Sequence, residues 1–224
     1  MPDTALALTH LARRPAQGDG APPLLILLHG IGSNEDDLFG LAPHLDQRFL
    51  IVSTRAPNPY GWGGYAWFEI EWLPDRIVID REQATASREL LIRFIGEAAA
   101  TYGADPARVY LLGFSQGAMM AGWVALSRPD LVAGAVLMSG RIPEELRDQI
   151  AAPEQLKGKP FLVVHGIHDQ TLPIQNGRAS RDLLQQLPVD LTYREYPMAH
   201  EVSAQSLADV AAWLSARLGE RVSR

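Results

Sequence analysis

Gly113-Phe114-Ser115-Gln116-Gly117 is a Gly-x-Ser-x-Gly pentapeptide. It follows the apolar run Val109 to Leu112 and opens a helical pattern from Gln116 to Ser127, which reads as strand, sharp turn and helix. A serine held on such a turn has strained backbone angles, so the residues two places away must be small. Ala118, also small, lets the helix pack closely on the sheet. A Gly-rich turn that merely caps a helix is the alternative, and the flanking strand and helix argue against it.

A serine hydroxyl is a poor nucleophile at neutral pH and needs a base. The chain offers six histidines. His10 falls on an edge-strand pattern and His44 in an early helix, and both read as surface residues. His29 precedes the serine and belongs to another motif. His165 and His168 lie close to Asp169. Hydrolases built on this turn run in the chain order serine, acid, histidine. Only His200, in the turn Pro197-Met198-Ala199-His200 after the last strand pattern, meets that order with an acid before it. Asp169 is the best acid, ending His165-Gly166-Ile167-His168-Asp169 after the strand Phe161 to Val164. Its carboxylate would hold the imidazole in one tautomer and stabilise the imidazolium. The blander readings are a helix-capping or exposed-loop role for His200 and an N-terminal cap role for Asp169.

The fourth element is Leu28-His29-Gly30-Ile31-Gly32. An oxyanion hole on such a scaffold uses the N–H after the nucleophile and another from the loop after an early strand. Those would belong to Gln116 and Ile31. Losing one such donor typically costs about 10²–10³ in rate. A structural Gly turn is the alternative.

The elements that must carry these residues alternate almost from end to end. Strand patterns cover Leu6 to Leu11, Leu24 to Leu28, Phe49 to Ser53, Val109 to Leu112, Ala135 to Met138, Phe161 to Val164 and Leu191 to Tyr196. Helical patterns cover about Asn34 to Leu45, Glu82 to Tyr102, Gln116 to Ser127, Ile174 to Leu187 and Glu201 to Leu218. The long Glu82–Tyr102 segment carries an apolar stripe and stops at Gly103. Such alternation implies an α/β fold, a mostly parallel sheet of about seven strands with helices on both faces. The chain, 1–224, reads as one domain. The short stretch from Met138 to Pro160 leaves no room for a separate cap domain. The long connection Ala56 to Asp80 breaks the rhythm and is dense in aromatics. Long loops of this kind are usually functional, and Trp67 and Phe68 are expected to bind substrate there; aromatics that simply cover the sheet edge are the equal alternative.

With 47% hydrophobic and 21% charged residues the chain can bury a core, and its net charge of −6 argues against nucleic acid or anionic membrane as partner. It has no cysteine. That excludes disulfides and a thiol nucleophile, and fits a reducing, cytoplasmic setting. No transmembrane segment is expected, because Leu24 to Leu28 is far below the roughly 20 residues needed. His165, His168 and Asp169 have no helix-borne metal spacing, so no metal is expected.

With these residues placed, the chain resembles the phospholipase/carboxylesterase family, its bacterial carboxylesterase branch in particular. The resemblance runs over nearly the whole chain and rests on His29-Gly30-Ile31-Gly32-Ser33-Asn34-Glu35-Asp36-Asp37-Leu38, Trp67-Phe68, Gly113-Phe114-Ser115-Gln116-Gly117-Ala118-Met119, Ser139-Gly140-Arg141-Ile142-Pro143 and His165-Gly166-Ile167-His168-Asp169. It implies the α/β-hydrolase fold, a triad of Ser115, Asp169 and His200, no cofactor, and hydrolysis of ester or thioester bonds, lysophospholipids among them. Separately from the resemblance, exposed aromatics could support a homodimer. Ala199 departs from the pattern, standing where the family commonly has Gly. A ligand-binding protein that keeps the fold without turnover, and a peptidase with the same triad, are the competing functions.

Overall fold

The structure, a computed structural model, describes residues 6–17, 20–73 and 77–219. Among the described residues eleven strands and six α-helices are formed: β1 (His10–Arg13), β2 (Leu24–Leu28), α1 (Glu35–Phe39), β3 (Leu50–Thr54), β4 (Asn58–Tyr60), β5 (Gly64–Ala66), β6 (Ile70–Trp72), β7 (Ile77–Ile79), α2 (Arg81–Tyr102), β8 (Val109–Phe114), α3 (Gln116–Ser127), β9 (Gly134–Met138), α4 (Pro153–Leu156), β10 (Pro160–Gly166), α5 (Ile174–Gln185), β11 (Asp190–Tyr196) and α6 (Ala204–Gly219). Seven of the strands make one sheet in the order β1-β3-β2-β8-β9-β10-β11. All neighbours are parallel except β1 on β3. This is the α/β-hydrolase architecture expected.

β2 shows why the sheet must be covered twice. All five of its residues are fully buried. Leu24, Ile26 and Leu28 join a cluster with α2, α3 and α5 residues such as Phe94, Val124 and Leu184, whereas Leu25 and Leu27 join one with Leu38, Val210 and Leu214 of α1 and α6. A strand alternates its side chains between faces, so a solidly apolar run demands a helix layer on each side. Burying each such side chain stabilises the fold by about 1.5–3 kcal/mol. α3 is buried along Gln116–Leu126, as a helix apolar on all sides must be.

Several boundaries differ from the sequence reading. The edge strand is His10–Arg13 rather than Leu6–Leu11, because Leu8 turns into the core ahead of it and Arg13 is pinned to the carbonyls of Ala42 and Asp46. His10 is half-buried rather than on the surface, its Nε2 2.7 Å from the Tyr102 hydroxyl. The expected helix from Asn34 to Leu45 breaks into α1 and a 3-10 turn, Ala42–His44. Pro43 lacks the N–H that would continue it. The segment Ala56 to Asp80 is not structureless: it holds the hairpin β4-β5 and the hairpin β6-β7. Asp80 then caps α2 through its carboxylate and Gly103 ends it in the left-handed conformation. Between β9 and β10 lie only a 3-10 turn, Glu144–Gln149, and α4. Among the described residues no helix is long and apolar enough to cross a membrane.

Candidate active site

Four turns meet at the carboxyl ends of the parallel strands. From β2 the sheet grows first toward β3, then returns through β8 and continues to β9, β10 and β11. β2 and β8 therefore flank the switch point, where an open α/β sheet leaves a crevice. The Gly30–Gly32 loop follows β2 and Ser115 follows β8, while Asp169 and His200 follow β10 and β11.

The backbone at Ser115 has φ 53° and ψ −116°. A non-glycine residue holds such angles only where its surroundings impose them. Here they do. A Cβ on Gly113 would overlap the backbone of Gly117, and one on Gly117 would overlap the carbonyl of Leu28. The Ser115 N–H is tied to the Met138 carbonyl at 2.9 Å.

His200 spans the other two side chains. Its Nε2 lies 3.0 Å from Ser115 Oγ and its Nδ1 2.7 Å from Asp169 Oδ2. A carboxylate only accepts, so Nδ1–H donates to Asp169 and the Nε2 lone pair accepts the Ser115 O–H. Asp169 Oδ1 accepts the N–H groups of Thr171 and Leu172 at 2.9 and 2.8 Å. The Asp169 side chain is fully buried, while that of His200 keeps 19% exposure and packs its ring against Phe114. Ser115 and His200 line a cavity of about 230 Å³ with Gly30, Ile31, Gln116 and Thr171 and an apolar wall that includes Ile70, Met119 and Leu172. Gln116 is the first residue of α3, where backbone N–H groups have no partner within the helix.

Residues 15–218 match the family described as phospholipase/carboxylesterase. The chain belongs to that family. It is 29% identical to the probable carboxylesterase SOBER1-like of Arabidopsis thaliana, over 88% of this chain and 80% of that one. It is 28% identical to acyl-protein thioesterase 1 of Kluyveromyces lactis, over 92% of this chain and 96% of that one. Among solved structures, the Bacillus cereus carboxylesterase superposes with a TM-score of 0.81 at 25% identity, covering 93% of this chain and 94% of that one. As a member of the phospholipase/carboxylesterase family the chain is a serine hydrolase.

Against that family pattern, Ala199 is exposed and not in the left-handed region, so glycine is not required there. His29 is fully buried and neutral. Its Nδ1–H donates to the Gly30 carbonyl at 2.7 Å and its Nε2 accepts the Ala56 N–H at 3.0 Å. Burial pushes its pKa below the ordinary imidazole value. A charged pair stands beside the same loop: Arg55 donates to Glu35 with both arms and lies over the Tyr65 ring. The hydrogen bonds from Arg55 hold the Glu35 carboxyl below its usual range. Tyr65 in turn pairs with Ser33 and Gly32 through the main chain.

Trp67 and Phe68, expected against substrate, are 0% and 1% exposed, belong to the core and do not line the cavity. Large apolar rings gain most by leaving water completely. The Trp67 indole N–H donates to the His29 carbonyl, and the main chain on either side is bound by the Gln116 side chain. The same loop does reach the cavity, through Ile70. Sequence reasoning missed Ile70, Met119, Thr171 and Leu172. The last three carried a signal in being close neighbours of Ser115 and Asp169 along the chain, whereas Ile70 carried none.

Proposed function

We propose that the chain hydrolyses carboxylic esters through an acyl-enzyme on Ser115, with His200 as base and Asp169 as the acid behind it. The observation that carries this is the single imidazole within hydrogen-bond reach of both a strained serine and a buried carboxylate. Ser115 Oγ attacks the acyl carbonyl carbon as His200 Nε2 takes its proton. The carbonyl oxygen becomes an oxyanion, for which the N–H groups of Ile31 and Gln116 are the donors. His200 returns the proton to the leaving alcohol oxygen as the ester bond breaks. Water then attacks the acyl-enzyme with the same proton route, releasing the acid and restoring Ser115.

The cavity of about 230 Å³ is smaller than the roughly 300 Å³ where pockets for drug-sized ligands begin. Its size supports a short acyl group against Ile70, Met119 and Leu172. A thioester is the second reading, favoured by likeness to a protein named acyl-protein thioesterase 1; a thiolate leaves more readily than an alkoxide, so the same groups serve. The cysteine-free composition supports a cytoplasmic location.

Ser115→Ala should stay folded and lose nearly all turnover on p-nitrophenyl acetate, and a fluorophosphonate should label only the native serine. Substantial turnover in folded Ser115→Ala ends the assignment, and absence of labelling favours a ligand-binding protein. Parallel assays on an oxyester and a thioester of one acyl group separate the two readings.

A further inference from the structure

A second imidazole lies at the acid. His165, near the end of β10, is fully buried, and its Nε2 is 2.7 Å from the Leu172 carbonyl and 3.5 Å from Asp169 Oδ2. A carbonyl only accepts, so the proton sits on Nε2. Nδ1 is buried with no hydrogen-bond partner. A second proton there would be left unsatisfied, and burial lowers the pKa of the ring. The ring is also confined from behind: a Cβ on Gly177 of α5 would stand 2.7 Å from its Cγ and Nδ1. The Leu172 carbonyl that it holds belongs to the residue whose N–H donates to Asp169 Oδ1.

We propose that His165 is a positioning residue for Asp169, a neutral imidazole that ties off the loop 169–172 so that the carboxylate keeps its Oδ2 for His200. The proposal rests on the triad reading above. With the loop fastened at Leu172, Oδ1 is saturated by two main-chain N–H groups and Oδ2 has one strong donor, His200. Released, the loop can turn the carboxylate, and His200 loses the partner that fixes its tautomer.

The test is a pair of substitutions assayed on p-nitrophenyl acetate beside Ser115→Ala. His165→Gln keeps an N–H donor at the Nε2 distance, and His165→Leu removes it at similar size. Loss of a hydrogen bond in a charged network predicts a kcat lower by about 10- to 100-fold in His165→Leu. The loss in kcat should exceed any rise in KM, since the carboxylate loses its support outright whereas Leu172 is one of several residues lining the cavity. His165→Gln should recover most of kcat. Gly177→Ala, made on α5, pushes the intact ring and should lower kcat in the same direction. A core role alone predicts lower melting temperatures with native kcat, or equal losses in the Leu and Gln variants; either overturns the proposal, as does native kcat in Gly177→Ala should His165→Leu fail to fold. Turnover in Ser115→Ala removes the triad reading itself, whereas an inactive Ser115→Ala beside a fully active His165→Leu overturns only the role of His165.

Discussion

The Gln116 side chain and the Trp67 main chain form one joint: the amide oxygen of Gln116 accepts the Trp67 N–H at 2.8 Å, and its nitrogen donates to the next carbonyl, Phe68, at 2.6 Å. The arrangement copies a pair of strand hydrogen bonds with a single side chain. Gln116 begins α3 and lines the cavity, while the segment it grips delivers Ile70 to the same cavity. One residue thus sets the spacing between a candidate oxyanion donor and the pocket boundary.

Gln116→Met keeps length and volume but satisfies neither main-chain group. Each unsatisfied buried group costs about 1–3 kcal/mol, so with two groups the melting temperature should fall by roughly 4–24 °C. Activity should fall as well, because the loop no longer holds its distance from Ser115. Calorimetry with steady-state kinetics reads both, and a native melting temperature would show that the joint carries no load.

Ile70→Ala removes part of the apolar wall. The preference among p-nitrophenyl acetate, butyrate and octanoate should move toward octanoate, by about tenfold in relative kcat/KM, the scale of one to a few methylene groups in an apolar pocket. Trp67→Ala should instead destabilise the fold by about 3–5 kcal/mol, since that ring lies in the core. An unchanged profile in Ile70→Ala places the acyl group elsewhere.

Stability should fall in two stages on acidification. His29 and His165 are buried, and burial lowers both pKa values. Above about pH 6.5 neither state binds a proton there, so nothing is lost. Below it the unfolded chain takes up protons that the folded chain refuses, costing up to about 1.4 kcal/mol per pH unit for each ring. Glu35, held down by Arg55, and Glu195, pulled to about 2 chiefly by hydrogen bonding from Arg178, act lower. Their contribution is present above about pH 4.3, the unfolded value, and is lost as pH falls through the folded one. Calorimetry should show a gentle decline from about pH 6.5 and a steep one below about 4.5. A melting temperature that rises on going from about pH 6.5 to 5 contradicts the histidine assignment.

The strained turn at Ser115 was legible because its geometry is local. A strained turn requires small residues two places from Ser115, and Gly113 and Gly117 state that requirement in the sequence. Asp169 and His200 followed from chain order, since each sits just after a strand that its own apolar run announces. The fold class was legible in β2, where five consecutive aliphatic residues demand cover on both faces. The long loop was not. Its aromatics carry no period, so nothing along the chain says which of Trp62, Trp67 and Phe68 turns inward; in the structure Trp62 is fully exposed and the other two are buried.

By itself the sequence determined the class of fold, and it placed the candidate serine, acid and histidine on turns in that order, because backbone sterics and side-chain alternation act over a few residues. Tertiary structure decided which atoms meet: Nε2 of His200 at Ser115, the Gln116 amide on Trp67, Ile70 rather than Trp67 at the cavity, and His165 behind Asp169. Those contacts join elements far apart along the chain, and only the packing of two helix layers on one sheet brings them within bonding distance.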